Sequence, residues 1–258
     1  MCVVECIQLL KWNIANKVDL TIFDLPFVKM QAQGNDFVIL DALAGKIPEL
    51  TQAFIKTICN RRLGIGCDQL LVLQPHDNAD VLMLIFNADG SQAANCGNGL
   101  RCVGDMLIKK LGKAEVSIAL ADRIVGAKKT KRGVRVNMGE AQLERATSSY
   151  IDVDIGNPHR VYFDGAASCP ERNVEKVTSY DQFQATINIT ERGSGETLAC
   201  GSGACAVAMA LWYKLGVNSA LTIHMPGGDV FVSQSDEDIY LEGEVILSFK
   251  GLYSLAEL

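Results

Sequence analysis

The sequence lacks the features that mark several large classes of protein. No charge-free apolar run approaches the roughly 20 residues that a membrane-spanning helix needs. The 24 Lys and Arg are outnumbered by 30 Asp and Glu, which leaves a net charge of −6. A general electrostatic attraction to nucleic acid or to an anionic membrane is therefore not expected. Because 48% of the 258 residues are hydrophobic and only 21% charged, the composition excludes a disordered chain and indicates a soluble globular protein.

Metal and nucleotide signatures are also absent or weak. The three histidines are scattered at positions 76, 159 and 224, and there is no Cys-x₂-Cys pair, so metal binding is a poor fit and no metal is predicted. Segment 201–206 matches the dinucleotide pattern Gly-x-Gly-x-x-Ala. However, the next acidic residue is as distant as Asp229, and the surrounding strand–helix–strand pattern is missing. The nucleotide interpretation is therefore weak.

Cysteine, by contrast, is plentiful. The nine cysteines are an odd number in a long chain, and residues 1–10 contain Glu5 and no basic residue, which is unlike a secretory leader. We therefore expect a reducing, cytoplasmic environment, in which cysteines are buried, metal-bound or catalytic. Four of them lie in apolar surroundings and are predicted to be buried structural residues: Cys59, Cys67, Cys102 and Cys205.

An internal repeat organises the chain. Segment 96–112 aligns with segment 200–216 without a gap, with eight identities in seventeen positions, where about one is expected by chance. Each copy contains a short apolar or alternating strand, a glycine-rich loop, Cys-Gly-x-Gly, a helix and further strands. The predicted fold is α+β, with two pseudo-symmetric halves at 27–140 and 141–258. Each half is a mixed, strand-rich sheet wrapped around a central helix, and the last strand is able to return to the first half.

The two predicted helices differ in character. The first has an apolar stripe that leaves Arg101, Asp105 and Lys109 on other faces, so it is predicted to be amphipathic. The second, over 204–215, has no charge before Lys214 and is predicted to be covered nearly all round. Residues 1–26 have no counterpart in the second half and form a predicted N-terminal extension of unassigned role.

The duplicated cysteines, Cys96 and Cys200, each precede a helix. Free backbone N–H groups and the positive end of the helix dipole favour a thiolate there and are expected to lower the thiol pKa. If a two-fold axis relates the halves, the two sulfurs face each other across the interdomain cleft. That arrangement suits racemisation or epimerisation, in which one sulfur removes an α-proton and the other returns a proton to the opposite face.

Six segments together resemble the diaminopimelate epimerase family, in the family's order from about Phe27 to the C-terminus. They are Lys-Met-x₃-Gly-Asn-Asp-Phe at 29–37, Gly-Ile-Gly-Cys-Asp-Gln-Leu at 64–70, Phe-Asn-Ala-Asp-Gly-Ser at 86–91, Cys-Gly-Asn-Gly at 96–99, Gly-Asn-Pro-His at 156–159, and Glu-Arg-Gly-x-Gly-Glu-Thr-x-Ala-Cys-Gly-Ser-Gly-Ala-Cys at 191–205. The resemblance implies interconversion of LL- and meso-diaminopimelate in lysine and cell-wall precursor synthesis, with no cofactor and commonly as a homodimer.

By position, Cys96 and Cys200 resemble the family's two catalytic acid/bases. His159 and Glu191 resemble residues that tune the thiol pKa values. The residues that match the family's substrate contacts are mostly amides and helix-start residues: Asn35, Gln69, Asn87, Gly97, Asn98, Asn157, Asn173, Glu191, Arg192, Gly201 and Ser202. Side-chain amides suit a zwitterionic substrate because they both donate and accept hydrogen bonds, and an arginine can bind a carboxylate through two of them.

Three departures from the family pattern stand out. Segment 32–35 is Ala-Gln-Gly-Asn where Gly-Leu-Gly-Asn is usual, the stretch from His159 to Asn173 is about half the usual length, and Phe249 is the nearest match to a tyrosine at the family's dimer contact. Two alternatives to the diaminopimelate activity stay open. One is a two-thiol racemase of another amino acid, and the other is a non-enzymatic dithiol redox or anion-binding protein.

Overall fold

A computed structural model describes residues 22–43, 45–165 and 167–256. Residues 1–21 of the predicted N-terminal extension lie outside this description, whereas 22–26 belong to the first strand. The strands in this part of the chain are β1 Ile22–Ala32, β2 Asn35–Asp41, β3 Gln69–Gln74, β4 Val81–Asn87, β5 Gln92–Ala93, β6 Glu115–Ala119, β7 Ile124–Thr130, β8 Gly133–Glu140, β9 Gln142–Ala146, β10 Tyr150–Asp154, β11 Pro158–Tyr162, β12 Asn173–Tyr180, β13 Gln184–Glu191, β14 Gly195–Thr197, β15 Leu221–Met225, β16 Gly228–Ser235, β17 Asp238–Gly243 and β18 Ile246–Ala256. The helices are α1 Gln52–Cys59, α2 Gly97–Leu111 and α3 Gly201–Leu215.

The strand pairing repeats along the chain. In the first half, β1 pairs antiparallel with β2, β2 parallel with β3, β3 antiparallel with β4, and β4 parallel with β6, which continues antiparallel into β7 and β8. In the second half, β10 to β17 repeat the same sequence of parallel and antiparallel pairs. The predicted α+β fold with two pseudo-symmetric, strand-rich halves is thus confirmed.

The two copies of the repeat, β1 to β9 and β10 to β18, are joined through three ladders. β8 of the first half pairs antiparallel with its counterpart β17 of the second. β9, which follows β8, pairs with β10, and β18, which follows β17, pairs with β1 over most of its length. We propose a division into 27–140 and 141–258, with β18 completing the first lobe. Amide hydrogen exchange in increasing denaturant would test this division. We expect the amides of each lobe to lose protection together, with the boundary between the two groups near residue 140.

Each long helix lies at the centre of one lobe. Both helices end at a glycine in the left-handed region, Gly112 with φ +65° and Gly216 with φ +66°, where a side chain would be strained. α3 is buried along most of its length, as its lack of charge predicted. A separate apolar layer, which includes Ile55 and Ile58 of α1, covers the outer face of the first lobe only.

α2 carries the apolar stripe that the sequence predicts, but two of the charged residues off this stripe are buried as well. Arg101 is fully buried and Asp105 is 2% exposed, because strands of both lobes surround the helix. The carboxylate of Asp105 is neutralised by Lys109 at 2.6 Å and by Lys129 of β7 at 3.1 Å. Arg101 and Asp105 are therefore hydrogen-bonded or paired inside the protein, whereas Lys109 and Lys110 in the last turn face water.

Gly104 allows α2 to lie close to the sheet. A Cβ on Gly104 would stand 2.6 Å from Cβ of Ala127 and 3.3 Å from Cγ1 of Val134. We predict that Gly104→Ala lowers the free energy of unfolding by about 1–3 kcal/mol through overpacking, although alanine has the higher helix propensity. The measurement is the urea unfolding midpoint. Gly45→Ala is the control, since no described atom lies within 4 Å of that Cβ position, and equal midpoints for the two variants would contradict the prediction.

Candidate active site

Cys96 and Cys200 are the N-caps of the two central helices. Their backbones are extended, and each sulfur accepts a hydrogen bond from the amide three residues later, Gly99 at 3.3 Å and Gly203 at 3.4 Å. A cap of this kind satisfies one of the amides that the first helical turn leaves without an acceptor. Both cysteines are free thiols. The duplicated motif therefore places two sulfurs in the same local geometry.

The starts of the two helices meet between the lobes. A Cβ on Gly201 would lie 3.0 Å from Oδ1 and 3.4 Å from the backbone N of Asn98, at the start of the other helix. Cβ atoms on Gly97 and Gly201 would lie 2.8 and 2.9 Å from the same Cδ2 atom of Leu241. Real Cβ atoms do not approach carbon atoms to 2.9 Å, so glycine at both positions allows the helix starts to come together without displacing the Leu241 side chain.

The pKa values of the two thiols are raised, which corrects the expectation that the helix starts would lower them. Burial raises the pKa of Cys96 to about 11, opposed by the amides of Gly99 and Asn98. The pKa of Cys200, which is 6% exposed, is raised well above its ordinary value by burial and by the nearby carboxylates. In this desolvated site the loss of water outweighs the helix-start amides.

Glu191 is the acidic group that the two thiols share. Its charge acts on Cys96 and on Cys200 and raises the pKa of each thiol, after burial. The pKa of the Glu191 carboxyl is itself raised, first by burial and then by Glu175, while His159 opposes the shift. The sulfurs from the two lobes therefore lie within the electrostatic reach of one carboxyl group.

A buried His–Glu pair lies beside Cys200. Nδ1 of His159 is 2.8 Å from an Oε atom of Glu175, and both side chains are fully buried. Within the described residues, Nε2 of His159 and the other Oε atom of Glu175 lack a hydrogen-bond partner. Glu175 was missed from the sequence. The signal that could have found it is its place on β12, two residues before buried Val177 and therefore on the same, inward-facing side of the strand.

His159, Glu175 and Cys200 form a cluster of potential metal ligands. Ligand atoms of His159, Glu175 and Cys200 all lie within 4.8 Å of one another, and this is the one such group among residues 22–43, 45–165 and 167–256. The imidazole and carboxylate are hydrogen-bonded to each other, and the sulfur accepts the amide of Gly203. These contacts account for the clustering without an ion, and the absence of a resident metal stays a prediction.

In the first lobe, a chain of polar contacts holds Asn98 at the start of α2. Its Nδ2 donates to Oδ1 of Asn35 at 3.2 Å, and the Nδ2 of Asn35 donates to Asp68 at 3.0 Å. From below, Nη2 of buried Arg101 donates to Oδ1 of Asn98 at 2.6 Å and to Oε1 of Gln33 at 2.7 Å. Arg101 is a second residue that sequence reasoning missed, because its charge suggested an exposed position.

Asp36 strengthens the same region from the adjacent strand. It bonds Lys29 at 2.6 Å and Arg61 at 2.6 and 2.9 Å, and it accepts the amide of Asp68 at 2.9 Å. Although burial opposes the shift, these cations hold the pKa of the Asp36 carboxyl well below its usual range. The loop that carries Asp68 is thereby fixed next to Asn35, which in turn contacts Asn98.

The remaining predicted contacts form smaller groups. Gln69 donates to Oδ1 of Asn87 at 2.9 Å across the β3–β4 pair, and Asn173 accepts the amide of Arg192 at 2.9 Å in the second lobe. Ser202 Oγ lies 3.4 Å from Sγ of Cys200, so Ser202 contacts the thiol directly. In the part of the chain that the structure describes, three buried amide oxygens have no partner, and two of them belong to predicted substrate contacts: Gln69 Oε1 and Asn157 Oδ1, with Asn95 Oδ1 as the third.

Comparisons of the sequence with known proteins identify one family. The family model described as diaminopimelate epimerase matches residues 27–144 and 159–248. A diaminopimelate epimerase of Moorella thermoacetica is 32% identical over 89% of this chain and 99% of its own, and one of Sphingopyxis alaskensis is 35% identical over 87% and 96%.

Solved structures share the fold at much lower sequence identity. A hydroxyproline epimerase from Agrobacterium vitis has a TM-score of 0.68 at 13% identity and covers 91% of this chain and 93% of its own. A PhzF-family protein from Bacillus anthracis has a TM-score of 0.69 at 14% identity, with 91% and 100% covered. With a family model that covers most of the sequence and relatives above 30% identity along nearly their whole length, the chain belongs to the diaminopimelate epimerase family.

Proposed function

We propose that the protein interconverts LL- and meso-diaminopimelate without a cofactor, using Cys96 and Cys200 as the two acid/base groups. Family membership supports the substrate. One observation carries the mechanism: two thiols cap helices whose starts abut between the lobes, and both lie near Glu191. Two pseudo-symmetric sulfurs suit a reaction that must move a proton from one face of a carbon to the other.

The reaction needs one proton on the pair of sulfurs. The thiolate on one side takes the α-proton, and the electron pair of the broken C–H bond remains on the α-carbon, conjugated with its carboxylate. The thiol on the opposite side then donates its proton to that carbon, which inverts the configuration. After the step the first sulfur is a thiol and the second is a thiolate. The two thiols therefore titrate as a coupled pair.

The raised thiol pKa values are useful for this step. An α-hydrogen of an amino acid is far less acidic than a thiol, so a thiolate with a raised pKa is a better matched base. Negative charge that develops on the α-carboxylate requires fixed donors. The backbone amides at the start of each helix, including Gly97 and Gly201, lack helical acceptors and lie on the two sides of the junction.

We assign substrate recognition to the amides and charged groups around the junction. Oε1 of Gln69 and Oδ1 of Asn157 are buried acceptors that suit the substrate's ammonium groups. The guanidinium of Arg192 is exposed and suits the distal carboxylate. The full proposed set is Asn35, Gln69, Asn87, Gly97, Asn98, Asn157, Asn173, Glu191, Arg192, Gly201 and Ser202, with His159 and Glu191 tuning the thiols.

The function is tested by solvent exchange. Purified protein with reduced thiols is incubated with LL-diaminopimelate in D₂O, and the α-proton signal is followed by NMR. We expect loss of that signal and appearance of the meso isomer, because the donating thiol exchanges with solvent and each inversion in D₂O places a deuteron on the α-carbon. No incorporation of deuterium would reject the epimerase. Incorporation only into another amino acid would support a different two-thiol racemase, and activity only in thiol–disulfide exchange would support a redox protein.

Single substitutions test the two-base mechanism. Cys96→Ser and Cys200→Ser are each expected to lower kcat for inversion by about 100-fold or more, since a hydroxyl is a much weaker acid/base than a thiol at neutral pH. Cys169→Ser is the control, because Cys169 is a partly exposed free thiol outside the site. Parental activity in either active-site variant would contradict the mechanism, and so would an equal loss in the control.

We further propose a homodimer that forms through β18. This strand exposes large apolar side chains beside β1, and Phe249 packs edge-on against Phe27 at 5.9 Å between ring centroids. The exposed side chains are Ile246, Leu247, Phe249 and Leu252. A patch of this kind on a single chain indicates an interaction surface.

Phe249→Glu is expected to shift the protein from dimer to monomer in sedimentation velocity, because it places a charge in the proposed apolar interface. Leu63→Glu is the control at another exposed leucine, in the segment between α1 and β3. A monomeric parent protein, or a variant that remains dimeric, would count against this surface.

We also propose a cytoplasmic location. In the described ranges no helix has the length and apolar character needed to cross a bilayer, and seven cysteines of this part of the chain are free thiols, which suits a reducing compartment. Fractionation of the native cells would test the location.

A further inference from the structure

The repeat allows each active-site position to be compared with its counterpart. In the parallel β2–β3 pair, Phe37 is opposite Gln69, and in the parallel β11–β12 pair His159 is opposite Asn173. The same registers align Leu71 of β3 with Glu175 of β12, two residues further along each strand. The buried pair below Cys200 is therefore His159–Glu175, whereas the corresponding pair in the first lobe is Phe37–Leu71.

These pairs lie directly under the first turn of each helix. A Cβ on Gly99 of α2 would stand 3.2 Å from Cδ1 of Leu71, and a Cβ on Gly203 of α3 would collide with an Oε atom of Glu175. The start of α2 thus rests on a hydrocarbon side chain. The start of α3 rests on a carboxylate that is completely buried.

The charged groups that face the two thiols differ accordingly. Cys200 faces Glu175 from β12, Glu191 from β13 and His159 from β11, with the Ser202 hydroxyl on its own helix. Cys96 faces the same Glu191 and is also influenced by the positive charge of Arg101 from its own helix. Glu175 therefore disfavours a thiolate at Cys200, and Glu191 disfavours a thiolate at either cysteine. The positive charge of Arg101 favours a thiolate at Cys96.

We propose that Glu175 is a positioning residue that keeps the shared proton on Cys200, so that Cys96 is the thiolate of the resting pair. The positive end of α3 already stabilises the Glu175 carboxylate, and a second negative charge on Cys200 would be repelled by it. Leu71, which lies under the start of α2, carries no charge. The positive end of α2 is therefore available to stabilise a Cys96 thiolate. This assignment rests on the proposed two-thiol function.

The test measures thiolate formation without substrate. Each cysteine's rate of alkylation by iodoacetamide is followed by peptide mass spectrometry from neutral to alkaline pH, in the parent protein and in Glu175→Gln. The amide keeps an oxygen that can accept from His159 but removes the charge. We expect Cys200 to be alkylated about tenfold faster at neutral pH in the variant, with its pH profile moved toward lower pH. The Cys96 profile should change much less.

Comparing the same cysteine between proteins removes the effect of exposure, since Cys200 is the more deeply buried thiol. Glu237→Gln is the matched control for loss of one negative charge, at an exposed turn residue, and should leave both profiles unchanged. His159→Phe with Glu175→Leu is the second variant, because it installs the apolar pair of the first lobe. It should bring the Cys200 profile closer to that of Cys96, and it remains informative if Glu175→Gln does not fold.

Two results would overturn the assignment. One is a Cys200 profile that is unchanged in folded Glu175→Gln or in the double variant, and the other is a parent protein in which Cys200 forms its thiolate at lower pH than Cys96. Failure of the proposed function has a different signature. In that case the D₂O exchange with diaminopimelate is absent in the parent protein, whatever the alkylation profiles of the two thiols.

Discussion

The close approach of the two helix starts is the constraint on which the site depends. Glycine at positions 97 and 201 permits this approach, because a Cβ on either would displace the side chain of Leu241 and one at position 201 would also crowd Asn98. The same approach brings two capping sulfurs from different lobes near one carboxyl group. It also removes water, and this loss of solvent is what raises both thiol pKa values.

Much of the architecture could be predicted from the sequence because both copies of the repeat keep the same local pattern of residues. The Cys-Gly-x-Gly segments correctly predicted where both helices begin, and Gly112 and Gly216 correctly predicted where they end. The alternating apolar segments located the main strands on either side of each helix. These features depend on neighbouring residues in the chain, and periodicity and capping patterns report on such local relationships.

The electrostatics of the site could not be predicted in the same way, because they depend on burial and on contacts between distant segments. Arg101 is a charged residue on a helix, and only the contacts with Gln33 and the Glu244 carbonyl, from other parts of the chain, explain why it is buried. Glu175 is an active-site group because β12 lies beneath the start of α3, and this contact joins segments that are distant in the sequence. The helix-start amides do favour the thiolates of Cys96 and Cys200, but desolvation exceeds their effect, so both thiol pKa values are raised instead of lowered as the sequence predicted.

The arrangement of the last strand of each repeat has a consequence for the origin of the molecule. β9 and β18 occupy corresponding positions after β8 and β17, and each lies against the first strand of the other repeat, β10 and β1. In a single copy of the repeat, the first strand would therefore lack the neighbour that the last strand of a second copy supplies. The present chain has the topology of a domain-swapped dimer fused into one polypeptide, and from the outset such a dimer would have had its two thiols at the symmetry axis.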